Sequence, residues 1–146
     1  MNNAAGFLEG IPKPAGDISE MQILNLAYIG DAVFEVMVRT HIIRHTKSAA
    51  NELHKAAKGY VAARAQSEMY KALSDKLSDG EMALMRRGRN AKSCTKAKNA
   101  SVNDYRHATG MEALFGYLYL KNEISRLTEI FEICIETIET IESIQQ

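Results

Sequence analysis

An all-α fold is what the sequence predicts, and three observations predict it. Apolar residues recur at helical spacing wherever they are dense, and no run alternates apolar with polar as a half-buried strand would. Only two prolines and nine glycines interrupt 146 residues. Ala, Leu, Ile, Met, Glu and Lys are abundant, and these side chains lose little rotamer freedom in a helix. With 46% hydrophobic and 25% charged residues the chain can bury one core and is short for two ordinary domains. We therefore expect a single helical domain over residues 1–146, with an irregular leader over 1–18.

Each element has a local reason. Ser19-Glu20-Met21-Gln22 reads as a capping box, in which hydroxyl and amide side chains satisfy each other's free backbone amides, so a helix should begin there. It continues as ILNLAYIGDAVFEVMVRTHIIRHT, so densely apolar that most of its circumference must be buried, and this makes it the expected central helix. Gly30 inside it costs about 1 kcal/mol relative to Ala, which calls for a close-packed backbone or ligand. From Ser48 to Leu77, Leu53, Ala57, Val61, Ala65, Met69 and Leu73 carry a second helical region. Asp79 caps a short helix through Met85. The stretch RRGRNAKSCTKAKNASVND has scarcely an apolar residue and reads as a solvated loop. Helix resumes at Tyr105 and runs through HATGMEALFGYLYL. Asn122 opens the last helix, where Ile124, Leu127, Phe131, Cys134, Ile138 and Ile141 form an apolar stripe beside an acidic one of Glu129, Glu132, Glu136, Glu139 and Glu142.

Composition also excludes. The N-terminus lacks a basic start followed by an apolar run, and Asp31 and Glu35 interrupt the longest hydrophobic stretch, so neither a secretory signal nor a membrane span is expected. Cys94 and Cys134 stand alone without C-x-x-C spacing, which argues against a disulfide framework or a zinc site and fits a reducing cytoplasm. Formal net charge is zero, but the charges are segregated. From Arg39 to Arg106 there are fifteen Lys and Arg against six Asp and Glu, and the rest of the chain holds three against twelve.

Asp31 and Glu112 carry the chemical interest, because a carboxylate in an apolar helix is costly to desolvate. Each is either on a thin exposed stripe, in a buried ion pair, or a ligand, and pattern alone leaves all three open. The surrounding words narrow the choice. Leu26-Ala27-Tyr28-Ile29-Gly30-Asp31-Ala32-Val33 resembles the ribonuclease III signature, Leu-Glu-Phe-Leu-Gly-Asp before an apolar helix. Glu112-Ala113-Leu114-Phe115-Gly116, followed by Tyr119-Leu120, resembles the second motif of that family. Arg87-Gly88-Arg89-Asn90-Ala91-Lys92 and Asp104-Tyr105-Arg106-His107-Ala108-Thr109 further resemble the Mini-ribonuclease III branch, whose short domain matches essentially the whole chain and leaves no room in it for a double-stranded-RNA-binding domain.

The resemblance implies a homodimeric, metal-dependent endoribonuclease of double-stranded RNA that leaves 5′-phosphate and 3′-hydroxyl ends. It also implies a substrate, the duplex formed by the ends of the 23S ribosomal RNA precursor. Asp31 and Glu112 would hold Mg2+ or Mn2+, since a hard cation prefers carboxylate oxygen and water, polarises phosphate and lowers the pKa of an attacking water. Neither is assigned as a general base. The family's larger members carry a Glu four residues before the first Asp and an Asp three before the Glu. Here those positions are Ala27 and Thr109, so one acid per helix remains. A further family acid aligns near Ala50, where Glu52 is the nearest substitute.

Thr109, His107 and Glu52 are the expected supporting residues. Arg86, Arg87, Arg89, Lys92, Lys96, Lys98 and Arg106 are expected to contact phosphates, against the alternative of a merely solvated loop. Two other readings compete: an inactive ribonuclease III-like module that binds RNA, and a helical interaction protein whose acidic last helix binds a basic partner. Two-fold pairing is expected because a single site can cut only one strand, and the apolar face of Leu26, Val33 and Met37 is either its contact or monomer core.

Overall fold

The computed structural model describes residues 6–47, 49–92 and 101–145. Among these, every regular element is helical. A short α1 (Gly6–Gly10) and a 3-10 turn (Ile18–Glu20) precede α2 (Ile23–His45), α3 (Ala50–Val61), α4 (Ala63–Leu73), α5 (Asp79–Asn90), α6 (Val102–Leu120) and α7 (Ile124–Gln145). No described helix is long and apolar enough to cross a membrane.

The N-terminal segment differs from expectation twice. A helical turn, α1, stands in the stretch expected to be irregular. Ser19 does not cap α2, because the Asp17 carboxylate takes both its N–H at 2.9 Å and its hydroxyl at 2.6 Å. That local bond holds Ser19 inside the 3-10 turn, and α2 starts after Gln22 with no side-chain cap.

The second helical region breaks at Ala62, whose ψ of 146° is extended. Neither Gly nor Pro marks the break, and its reason is tertiary: α3 packs against α2, whereas α4 turns to pack against α6 and α7. α5 opens one residue earlier than expected, with a full capping box between Ser78 and Glu81. It also runs five residues beyond Met85, because Gly88 is pressed against Gly110 of α6. Arg86, Arg87 and Arg89 therefore stand on a helix, not in a loop. α6 begins at Val102, capped by the Ser101 hydroxyl. Asn122 ends α6 rather than opening α7: at φ 57° it lets the Glu123 N–H reach the Leu118 carbonyl at 2.9 Å, while its own N–H bonds to Tyr119.

The central helix is α6, not α2. Ten of its residues are buried, and α2, α4, α5 and α7 all pack on it. Phe34 of α2 meets Phe115 of α6 edge-on at 5.2 Å and Phe131 of α7 at 6.1 Å. Arg126 of α7 grips the Glu81 carboxylate with two bonds of 2.8 and 2.9 Å and holds its carboxyl below the usual range, which ties α7 to the start of α5. Leu26 and Val33 belong to this core rather than to a self-association face, and Met37 packs against it. The apolar groups that α2 leaves to solvent are Leu24, Tyr28, Val36 and Ile43.

Candidate active site

Two glycines bring the candidate site together. A Cβ on Gly30 would stand 1.7 Å from the Glu112 carbonyl oxygen, and one on Gly116 would stand 1.9 Å from that of Leu26. The helices α2 and α6 therefore cross backbone against backbone, which is the close approach that Gly30 called for. Asp31 follows Gly30 directly, and Glu112 lies one turn before Gly116, so both carboxyls are delivered to the same crossing.

There the Asp31 carboxyl bears directly on that of Glu112. Glu112 is half-buried, and its carboxyl is pushed up to about 9, first by burial and then by the hydrogen bonding and charge of Asp31. Gln66 of α4, itself 3% exposed, opposes that shift. Asp31 lies on the exposed side of the pair. No cationic side chain figures among the groups acting on Glu112. Two facing carboxyls of this kind require a shared proton or a cation, and a hard oxygen donor set fits Mg2+ or Mn2+. Among the described residues no third His, Cys, Asp or Glu completes a ligand cluster, in keeping with one acid from each helix.

The supporting residues are distributed unevenly. The Thr109 hydroxyl donates to the Tyr105 carbonyl at 3.0 Å within its own helix, so its proton is not free to orient a water at the pair. Ala27 is 7% exposed, and a longer side chain there would meet packed neighbours. His107 Nδ1 lies 2.8 Å from the Ser67 hydroxyl, and its ring stacks on Tyr70 with centroids 4.5 Å apart. Burial lowers its pKa, and the charges of Lys71 and Arg89 lower it further. Glu52 does not reach the site. It pairs with Lys55 and borders a cavity with His41 and His45, which are ten or more residues along α2 from Asp31, about 15 Å or more. Gln66 escapes sequence reasoning, since a lone glutamine one position from an apolar stripe carries no signal.

The basic residues also divide. Arg86, Lys92 and Arg106 are exposed, and Arg89 donates through Nε to Asn90 at 3.2 Å. Because α5 crosses α6 at Gly88 and Gly110, the Arg89 backbone lies beside a residue two positions from Glu112. Arg87 instead donates to the Ser19 carbonyl at 3.0 Å and the Met21 carbonyl at 3.5 Å, which makes it a tether for the 3-10 turn. Lys96 and Lys98 lie outside the described residues.

Known proteins resemble this chain over the residues that form the crossing. Residues 24–123, which contain both of its halves, match the family model described as Ribonuclease III domain. The chain is 48% identical over 124 residues to a Mini-ribonuclease 3 of Clostridium tetani, covering 84% of this chain and 82% of the relative. It is 44% identical over 135 residues to a Mini-ribonuclease 3 of Thermoanaerobacter sp., covering 92% and 95%. Among solved structures, protein FN1578 of Fusobacterium nucleatum superposes with a TM-score of 0.74 at 29% identity, over 84% of this chain and 98% of that one.

Proposed function

Since the chain belongs to the Mini-ribonuclease 3 family of ribonuclease III-type endoribonucleases, we propose that it hydrolyses double-stranded RNA with Mg2+ or Mn2+ at Asp31 and Glu112. The single observation that carries this reading is the meeting of the two carboxyls at the α2–α6 crossing. Asp31 and Glu112 would hold the cation, with waters completing its shell. When bound, the cation stabilises charge on the phosphate and lowers the pKa of the attacking water.

The chain's own residues do the rest. Packing around Glu112 screens one side of the site from water, while Asp31 faces the open side where a scissile phosphate would lie. Arg86, Arg89, Lys92 and Arg106 supply phosphate contacts that set the register of the duplex. By family resemblance the substrate is the duplex formed by the ends of the 23S ribosomal RNA precursor, and the products carry 5′-phosphate and 3′-hydroxyl ends. The purified chain should cut a labelled duplex, including that precursor stem, and spare each of its strands presented alone. Equal cleavage of the single strands would overturn the substrate assignment.

Arg86→Ala, Arg89→Ala and Lys92→Ala should each flatten the log–log salt dependence of duplex binding by roughly one unit, the share of a single neutralised phosphate. Arg87→Ala should behave differently, lowering the melting temperature by freeing the 3-10 turn. An unchanged salt slope in the first three variants would remove them from the RNA interface.

The active form is proposed as a two-fold homodimer in which each subunit cuts one strand. Supporting this, α2 leaves Tyr28 at 82% and Val36 at 59% exposure, on the helix that also carries Asp31. An isologous pairing across that stripe sets two Asp31–Glu112 sites opposite antiparallel strands. Tyr28→Glu should yield a folded monomer by light scattering, with double-strand cleavage lost. A Tyr28→Glu protein that remains dimeric and fully active would place the interface elsewhere.

A further inference from the structure

We propose that His107 is an RNA-binding residue held in one tautomer: its Nε2–H donates, from a neutral ring, to a backbone phosphate of the duplex other than the scissile one. This role rests on the reading of duplex RNA as the substrate.

The ring is held on two sides. Its Nδ1 lies 2.8 Å from the Ser67 hydroxyl, and its face stacks on Tyr70 with centroids 4.5 Å apart and planes 22° apart. Both partners are fixed, since Ser67 and Tyr70 lie one turn apart on α4 at 1% and 3% exposure. The Tyr70 ring is also pressed by α6, where a Cβ on Gly110 would stand 3.0 Å from it.

The Ser67 hydroxyl decides the tautomer. Serine hydroxyls inside helices commonly turn back to the carbonyl four residues earlier, as Ser74 does to Tyr70 at 2.9 Å. Ser67 makes no such bond, and among the described residues its one partner is Nδ1. A hydroxyl this buried must place its proton, so it donates to Nδ1. The hydrogen of the neutral ring then sits on Nε2, which has no hydrogen-bond partner among the described residues. The ring is neutral at pH 7, its pKa lying below the ordinary 6.5 through burial first and then the charges of Lys71 and Arg89, with Asp104 opposing.

The surroundings select the ligand. Arg106, the preceding residue on α6, is exposed. The Arg89 backbone of α5 meets Gly110, one turn after His107, and Lys71, which pairs with Glu68 at 3.5 Å, follows Tyr70 on α4. Three helices thus bring cations around one free N–H donor, and an anionic acceptor matches them. On a duplex that acceptor is a phosphate oxygen. His107 stands five residues before Glu112, about 7.5 Å along the α6 axis and about 140° around it, so this phosphate is not the one at the carboxyls.

The test is equilibrium binding of a labelled duplex to the full chain, in EDTA so that the duplex stays intact. His107→Phe keeps a ring on Tyr70 and removes the donor. It should weaken binding about ten-fold with an unchanged log–log salt slope, because a neutral donor releases no counterion. In cleavage it should raise KM by a similar factor and leave kcat within about two-fold. His107→Gln, whose amide N–H reaches the place of Nε2, should bind within about three-fold of wild type. His107→Asn reaches only the place of Nδ1 and should be as weak as His107→Phe.

Wild-type affinity in folded His107→Phe, a salt slope lowered by one unit, or equal binding by the Gln and Asn variants would each overturn the proposal. Should His107→Phe melt below the assay temperature, the Gln and Asn variants make the same comparison. A wild-type chain that itself fails to bind the duplex would instead remove the substrate reading, whereas tight wild-type binding unaffected by His107→Phe removes His107 alone.

Discussion

Asp31→Asn and Glu112→Gln should each slow duplex cleavage by about a thousandfold or more, equivalent to about 4 kcal/mol of transition-state stabilisation, with duplex affinity retained. Both substitutions keep shape and remove charge, so the loss reports the carboxylates and not the packing. Their effects on stability should differ. Asp31 lies on the exposed side of the pair, and Asn there should leave the melting temperature nearly unchanged.

Glu112 is half-buried with its carboxyl raised to about 9 from an ordinary 4.5, so the folded state holds its proton more tightly than the unfolded chain does. In chelator the wild-type protein should therefore be most stable below about pH 4.5 with respect to this group. It should lose that contribution as pH rises toward 9, and level off above it. Glu112→Gln carries no such titration. At pH 7 without metal it should be more stable than wild type while being inactive. A melting profile in which Glu112→Gln is destabilised across this range would mean that the carboxyl is satisfied by a cationic or other partner. Full cleavage by either variant would remove the pair from the site.

The second large effect is structural. Gly30→Ala places a methyl 1.7 Å from the Glu112 carbonyl oxygen, and Gly116→Ala places one 1.9 Å from that of Leu26. Neither obstacle is a flexible side chain, so the helices themselves must separate. We expect each variant to lose roughly 3 kcal/mol or more of stability, and Gly30→Ala to lose cleavage beyond what unfolding explains, because separation pulls Asp31 from Glu112. Urea melts and activity assayed well below the transition will check this. A Gly30→Ala protein with wild-type stability would show that the two backbones are not in contact.

The site is partly legible in the sequence because two of its parts break the rules of their surroundings. Asp31 and Glu112 are acids in apolar helices, and Gly30 is a helix-weakening residue in the middle of one. Each stands out against its local pattern without any geometry. Gln66 does not, since one glutamine in an amphipathic helix is ordinary until the crossing of three helices shows what it faces. Arg87 looks the same as Arg86 and Arg89 as a charge in a basic run. Only the position of the Ser19 carbonyl separates a tether from a phosphate contact.

The fold class is legible from periodicity, and the element boundaries are less so. Extension of α5 to Asn90 depends on Gly88 meeting Gly110, and the break at Ala62 depends on α3 and α4 packing on different partners. Both are tertiary effects that no local propensity encodes. Ser19 misleads for a simpler reason: a nearer acceptor, Asp17, competes for the same groups.

Cation-dependent hydrolysis of an RNA duplex by the Asp31–Glu112 pair is tested most directly by following an end-labelled duplex through a chelator and Mg2+ titration while identifying the product ends. No cleavage is expected in EDTA, with full recovery when Mg2+ exceeds the chelator and products carrying 5′-phosphate and 3′-hydroxyl ends. Cleavage that persists in EDTA, or products ending in 2′,3′-cyclic phosphate, would contradict it.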